Sequence, residues 1–211
     1  MKQDEAIIFD LDGTLTDTLN ISLLGAQEAA KKAENLELTF DEIISQFGKS
    51  ETGLFKHYSP LNWQKAAQYY KEFFERVATP QILFPGIKDI LDYLKNNNIK
   101  TALVTGRAED TALAILEKTG IKNYFEHIKT GSEFASIKTK CIKEVLQLWG
   151  QAPQKTYYLG DIPNDVRDAR AAGVNPLSAA WFPTVDKEKL QQESPLHIFD
   201  SVELFAAWVK K

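Results

Sequence analysis

Three short apolar runs in this chain each end on a carboxylate or a hydroxyl: IIFD at 7–10, TALVT at 101–105 and TYYLGD at 156–161. Around them the pattern changes period. Ile87, Ile90, Leu91 and Leu94 recur at helical spacing before Asn96-Asn97-Asn98, and Ala112, Ile115 and Leu116 do so before Gly120. His127-Ile128 forms a further short run, followed by a helix over about 138–149. Pro163 sits in a first helical turn, where its missing N–H costs nothing, and that helix runs to Gly173. PLSAAW, HIFD and a closing helix, SVELFAAWVKK, complete the series. Runs apolar on both faces, alternating with helices, imply an α/β fold: a Rossmann-like parallel sheet with helices on both sides. Right-handed crossovers put every strand's carboxyl end on one edge, where such sheets bind ligands. Asp10, Thr105 and Asp161 are therefore predicted to meet there from three distant parts of the sequence.

Residues 16–84 lack a good strand. A helix is expected over about 18–34. Thr39 and Glu42 form a capping-box pattern ahead of Ile43, Ile44 and Phe47. Trp63, Ala66, Ala67, Tyr70, Phe73, Phe74 and Val77 make a stripe at helical spacing, read as the packing face of the unit rather than a ligand-stacking surface. The expected organisation is a discontinuous core, 1–15 and 85–211, carrying a small all-helical cap at 16–84. Its two connections, near 15–18 and 79–85, enter at the site edge, as a lid would.

Charge and cysteine usage narrow the class. A net charge of −4 with no long basic run argues against nucleic acid as a partner. The single cysteine, Cys141, rules out an internal disulfide framework and fits a reducing compartment. MKQDEAIIFD places acids before a very short apolar run, unlike a secretory signal. No apolar segment approaches the roughly 20 residues that span a bilayer, so no membrane partner is expected and the location expected is cytoplasmic. Monomer and homodimer both stay open.

In an extended chain, residues i and i+2 face the same way, so Asp10 and Asp12 both address a ligand beyond the strand end. Two carboxylates that close repel unless a cation or a shared proton relieves them. Asp161 ends another strand, and Asp165 follows by one helical turn. Four such side chains, Asp10, Asp12, Asp161 and Asp165, with no histidine or cysteine nearby, suit a hard cation, Mg2+ before zinc. The alternative for any single one of them is a helix cap or turn former.

Asp10-Leu11-Asp12-Gly13-Thr14-Leu15-Thr16-Asp17 resembles the first signature of the haloacid dehalogenase superfamily. Thr105 in VTGR resembles the second, Lys138 the third, and Gly160-Asp161-Ile162-Pro163-Asn164-Asp165 the fourth. The helical insert is similar to that of the small-cap subgroup, which includes phosphoglycolate phosphatases and β-phosphoglucomutases. The resemblance implies a Mg2+-dependent phosphatase acting on a small phosphorylated metabolite through an aspartyl-phosphate. In that scheme Asp10 is the nucleophile and Asp12 the general acid and base. Thr105 and Lys138 hold the phosphoryl oxygens, and Asp10, Asp161 and the backbone carbonyl of Asp12 hold the metal. Asp165 is a further metal ligand, or orders a water or Lys138.

Two departures leave choices open. The third motif often reads Lys-Pro, whereas here Lys138 precedes Thr139, so Lys140 and Lys143 stay as alternatives. The second motif carries Gly106 where many relatives have Asn, so Gly106 and Arg107 are expected to reach phosphate or substrate, Arg107 having a surface role as its alternative. Lys49, in the Phe47-Gly48-Lys49-Ser50 loop, is expected to meet a second anionic group on the substrate; an exposed loop lysine is the other reading. The alternative functions are a phosphosugar mutase and a non-catalytic binding scaffold on the same fold.

Overall fold

The computed structural model describes residues 1–183 and 185–211. β1 (Ala6–Phe9) leads into four helices: α1 (Leu19–Glu34), α2 (Phe40–Ser45), α3 (Glu51–Tyr58) and α4 (Trp63–Val77). Alternation then begins with α5 (Ile87–Asn96), β2 (Lys100–Val104), α6 (Glu109–Thr119) and β3 (His127–Lys129). It continues through α7 (Lys138–Trp149), β4 (Thr156–Gly160), α8 (Pro163–Ala172) and β5 (Asn175–Ala179). α9 (Lys187–Gln192), β6 (His197–Phe199) and α10 (Val202–Val209) close the chain. Among the described residues no helix is long and apolar enough to cross a membrane.

The strands form one sheet in the order β3-β2-β1-β4-β5-β6, and every neighbouring pair is parallel. β1 is central, with Ile8 opposite Ala102 on one side and Tyr158 on the other. The chain winds outward from β1 to β3 and then returns to place β4 against β1, so the winding direction reverses beside β1. Such a switch point opens a crevice at the strands' carboxyl ends.

Both faces of β1 are buried, which its uninterrupted apolar sequence requires. Ile7 and Phe9 belong to one apolar cluster, and Ala6 and Ile8 to another with Val104, Ile142, Tyr158 and Ala169. The first cluster does not stop at the sheet. It runs through Leu15 and Ile82 to Leu23, Ala26, Tyr70 and Phe74 of the inserted helices. The stripe on α4 packs as its period predicts, with Ala66, Tyr70, Phe73 and Phe74 buried. α2 begins at the Thr39 capping box, where the Thr39 hydroxyl accepts from the Glu42 N–H and Glu42 accepts from the Thr39 N–H.

The two connections to the inserted helices run side by side. Thr16 pairs antiparallel with Leu83, the Asp17 N–H donates to the Ile82 carbonyl at 2.8 Å, and the Phe84 N–H donates to the Leu15 carbonyl at 3.1 Å. A two-stranded ribbon thus carries the chain out and back beside the sheet's ligand edge.

Candidate active site

Asp10 leaves β1 with its N–H on the Leu159 carbonyl of β4, at 2.9 Å. This bond fixes its carboxyl at the crevice, where it is 5 % exposed. One oxygen, Oδ2, lies 3.0 Å from the Lys138 ammonium; the other, Oδ1, is buried with no protein partner. A buried carboxylate oxygen without a donor is costly and marks a position built for something else. Burial pushes the Asp10 carboxyl up to about 7, against the opposing pull of Lys138.

Asp161 and Asp165 complete a compact acidic group. Carboxylate oxygens of Asp10, Asp161 and Asp165 all lie within 4.8 Å of one another. Burial, then the neighbouring charges of Asp165 and Asp10, hold the half-buried Asp161 carboxyl well above its ordinary range. Lys138, the first residue of α7, sits 2.6 Å from Asp165 and 3.0 Å from Asp10. Burial alone would lower its pKa, but these two carboxylates more than offset that and keep it charged. The alternatives stay outside: Lys140 and Lys143 are exposed.

Two glycines make room for this crowding. Gly13 turns the chain at φ +74°, and a Cβ there would lie 2.2 Å from Asp161 Oδ2. A Cβ at Gly160 would lie 2.4 Å from the Asp165 carboxyl. Asp165 therefore folds back over the strand end, where its Oδ2 accepts from the N–H groups of Asp161 (3.2 Å) and Ile162 (3.3 Å). With Oδ1 on Lys138, Asp165 orders the lysine and the turn more than it faces open space. Three converging carboxylates, one oxygen unpartnered, and no nitrogen or sulfur donor form a set that fits a hard divalent cation.

Asp12 stands apart from this group. Its carboxylate accepts from Arg107 Nε (2.8 and 2.9 Å) and Nη2 (2.6 Å), and from the Thr18 hydroxyl. The side chain of Asp12 is thus no member of the cation cluster, although the residue lines the same cavity. The Thr105 hydroxyl, 2 % exposed, accepts from the Arg107 N–H at 3.2 Å, and Gly106 lines the cavity beside it.

A family model described as haloacid dehalogenase-like hydrolase matches residues 7–179. The chain belongs to the haloacid dehalogenase-like hydrolases. Among its relatives is the pyrophosphatase PpaX of Oceanobacillus iheyensis, 28 % identical over 93 % of this chain and 92 % of that one. The phosphoglycolate phosphatase of Agrobacterium fabrum is 28 % identical over 97 % and 92 % respectively. A solved haloacid dehalogenase-like hydrolase from Streptococcus pneumoniae superposes with a TM-score of 0.75 at 26 % identity, covering 99 % of this chain and all of that one.

Within this hydrolase, Arg107 corrects the surface alternative: it is 5 % exposed. Nor are its donors free. Nε and Nη2 serve Asp12, Nη2 also meets Ser22 Oγ at 2.5 Å, and Nη1 meets Glu51 at 3.1 Å and the Tyr70 hydroxyl at 3.3 Å. A guanidinium has five N–H groups, and these contacts engage all of them. Its carbon lies 4.4 Å from the centre of the Phe74 ring. Arg107 thus ties Asp12 to α1, α3 and α4. Sequence reasoning missed Glu51, whose other oxygen accepts from the Ala108 N–H at 2.6 Å, and missed Tyr70's polar contact. Lys49 lines the cavity half-buried, with its ammonium 3.1 Å from the Gln46 side-chain oxygen.

Proposed function

We propose that this hydrolase is a Mg2+-dependent phosphatase that cleaves a small phosphorylated metabolite through an aspartyl-phosphate. The observation that carries the reading is the buried Asp10 carboxylate, with one oxygen held by Lys138 and the other unpartnered beside Asp161 at the cavity wall. The names of the curated relatives, which include phosphoglycolate phosphatase and pyrophosphatase, support the same reaction class.

Asp10, Asp161 and the Asp12 backbone carbonyl are the groups proposed to hold Mg2+, with Asp165 beside them. The cation supplies charge that offsets the repulsion between a carboxylate and a phosphate dianion. Asp10 Oδ1 then attacks phosphorus, and the bond from phosphorus to the substrate alcohol breaks. Lys138 neutralises charge on the transferring group and keeps Asp10 oriented, while the Thr105 hydroxyl and the amides of the Leu11–Gly13 turn donate to phosphoryl oxygens. Asp12 gives its proton to the departing alkoxide, then takes one from the water that cleaves the Asp10 ester. The Arg107 pair suits the second of these roles, in which Asp12 is an ionised acceptor. The first requires Asp12 to take up a proton and turn from Arg107 toward the substrate oxygen.

The test is turnover of para-nitrophenyl phosphate and a panel of phosphorylated metabolites with Mg2+. Free phosphate released by the wild type and lost in Asp10→Asn, with the circular dichroism spectrum unchanged, is the expected result. Isomerised sugar phosphate without free phosphate would mark a mutase. No turnover on any phosphoester would remove the enzyme reading.

A further inference from the structure

The crevice above Asp10 continues into a cavity of about 550 Å³ that reaches well beyond the acidic cluster. Sites of roughly 300–1,000 Å³ enclose ligands of drug-like size, so a phosphoryl group with a two-carbon tail would leave most of this space unused. The inserted helices supply the far wall. Its apolar members include Leu19 and Ala26 on α1, Ile43 and Ile44 on α2, Phe47 after it, and Leu54 and Phe55 on α3.

Three polar groups on that wall, Ser22, Glu51 and Tyr70, are committed to Arg107 and its neighbours. Glu51 accepts from Arg107, the Ala108 N–H and the Thr111 hydroxyl, and the Tyr70 hydroxyl accepts from Arg107. Ser22 donates to the Thr18 carbonyl at 2.7 Å and accepts from Arg107. Arg107 has no donor left for a substrate carboxylate or second phosphate. Among the described residues Lys49 alone brings a cation from the inserted segment to the cavity, its ammonium 3.1 Å from the Gln46 side-chain oxygen, while Lys189 of the core, on the same cavity, is paired with Asp186 at 3.0 Å. Phe47 and Ile44, in contrast, leave 49 % and 44 % of their surface open. Neighbouring apolar residues exposed on the wall of a cavity mark a surface that gains by being covered.

We infer that the substrate of this site is a phosphomonoester whose alcohol carries an apolar body, rather than a short carboxylate or a second phosphate. The inference rests on the phosphatase reading above. The phosphoryl group occupies the polar end at Asp10, and the alcohol's carbon skeleton covers Ile44, Phe47 and Leu54. This departs from the phosphoglycolate and pyrophosphate named for its relatives, since neither has an apolar group to cover Ile44 and Phe47.

The test is kcat/KM with Mg2+ for ethyl, butyl and hexyl phosphate, compared with phosphoglycolate and inorganic pyrophosphate. The leaving-group chemistry is nearly constant along the alkyl series, so differences report the cavity wall. Burial of a methylene predicts a gain of about fourfold per added carbon. Hexyl phosphate is expected to exceed ethyl phosphate by roughly 250-fold and to exceed phosphoglycolate. Phe47→Ser, at a half-open position that should not disturb folding, is expected to flatten the series, and a series as steep as the wild type's overturns the inference. A flat wild-type series, or a preference for phosphoglycolate or pyrophosphate, overturns the inference and leaves the phosphatase reading standing. Absence of turnover on every compound removes both.

Discussion

Arg107 grips Asp12 through two nitrogens, Nε at 2.8 Å and Nη2 at 2.6 Å, while its third nitrogen, Nη1, reaches Glu51 at 3.1 Å. One buried guanidinium therefore couples the second aspartate of the opening motif to the start of α3. Breaking a buried ion pair from one side costs roughly 3–5 kcal/mol, because the abandoned charge stays behind. Arg107→Met, which keeps bulk against Phe74, is expected to cost about 3 kcal/mol in urea unfolding, at the lower end because Asp12 is partly exposed. Glu51→Gln should cost less when combined with Arg107→Met than it does in the wild type. Additive costs would show that the two residues act independently.

Asp12→Asn separates the two halves of the proposed proton path. para-Nitrophenol leaves without much help from an acid, so the first displacement should survive on para-nitrophenyl phosphate. Rapid mixing should show a burst of about one nitrophenolate per enzyme, then slow turnover as the Asp10 ester waits for a base. On an alkyl phosphate the first step should itself fall, by on the order of 100-fold. Uniform loss on both substrates, with no burst, would take Asp12 out of proton transfer.

The acidic cluster predicts how metal-free stability depends on pH. Asp10 titrates near 3.8 when unfolded and about 7 when folded. Well below pH 3.8 it is protonated in both states and contributes nothing. As pH rises from 4 to 7, the unfolded chain releases this proton while the folded protein keeps it, so stability falls. The loss is complete above 7 and amounts to a few kcal/mol, at roughly 1.4 kcal/mol per pH unit of separation. Asp161 shifts in the same direction. Thermal melts in EDTA should show a smaller decline for Asp10→Asn than for wild type between pH 5 and pH 8. Mg2+ should raise the wild-type Tm more at pH 8 than at pH 5, and an equal rise at both would deny these carboxylates the cation.

Gly13→Ala places a methyl 2.2 Å from Asp161 Oδ2 on a residue with φ +74°, and Gly160→Ala places one 2.4 Å from the Asp165 carboxyl. Each displaces an acidic side chain by an ångström or more, which in a positioned site costs about 100-fold in rate. Both variants are expected to lose phosphatase activity by that factor and to need more Mg2+ for half-maximal rate. Wild-type Mg2+ dependence in either would mean that the close packing serves only the fold.

How much of this was legible in the chain depends on what each residue leans on. Asp10, Thr105 and Asp161 announce themselves because an apolar run on a central strand leaves no other reason for a polar terminus. The buried cation pairing of Lys138 was harder, since a lysine opening an amphipathic helix looks like any solvated one, and only the packing of α7 brings it to Asp10. Glu51 and Tyr70 were illegible. Glu51 opens α3, only eight residues long, and reads as an ordinary acid in a first helical turn. Tyr70 reads as one more aromatic on the α4 stripe, and its hydroxyl contact depends on a loop thirty-seven positions away. α9 went unseen because Leu190 is its only buried apolar residue, which gives no period to detect.

The paired connections at Thr16 and Leu83 have an architectural consequence. Antiparallel partners lie about 5 Å apart, so the sheet's chain path enters and leaves the inserted helices at nearly one point. Seen from β1 and α5, sixty-odd residues occupy the place of a hairpin turn. The two halves of the sheet's own sequence meet at that point whatever the excursion contains. The wall that faces the substrate can therefore be exchanged as one cassette, with the strand that carries Asp10 left in register.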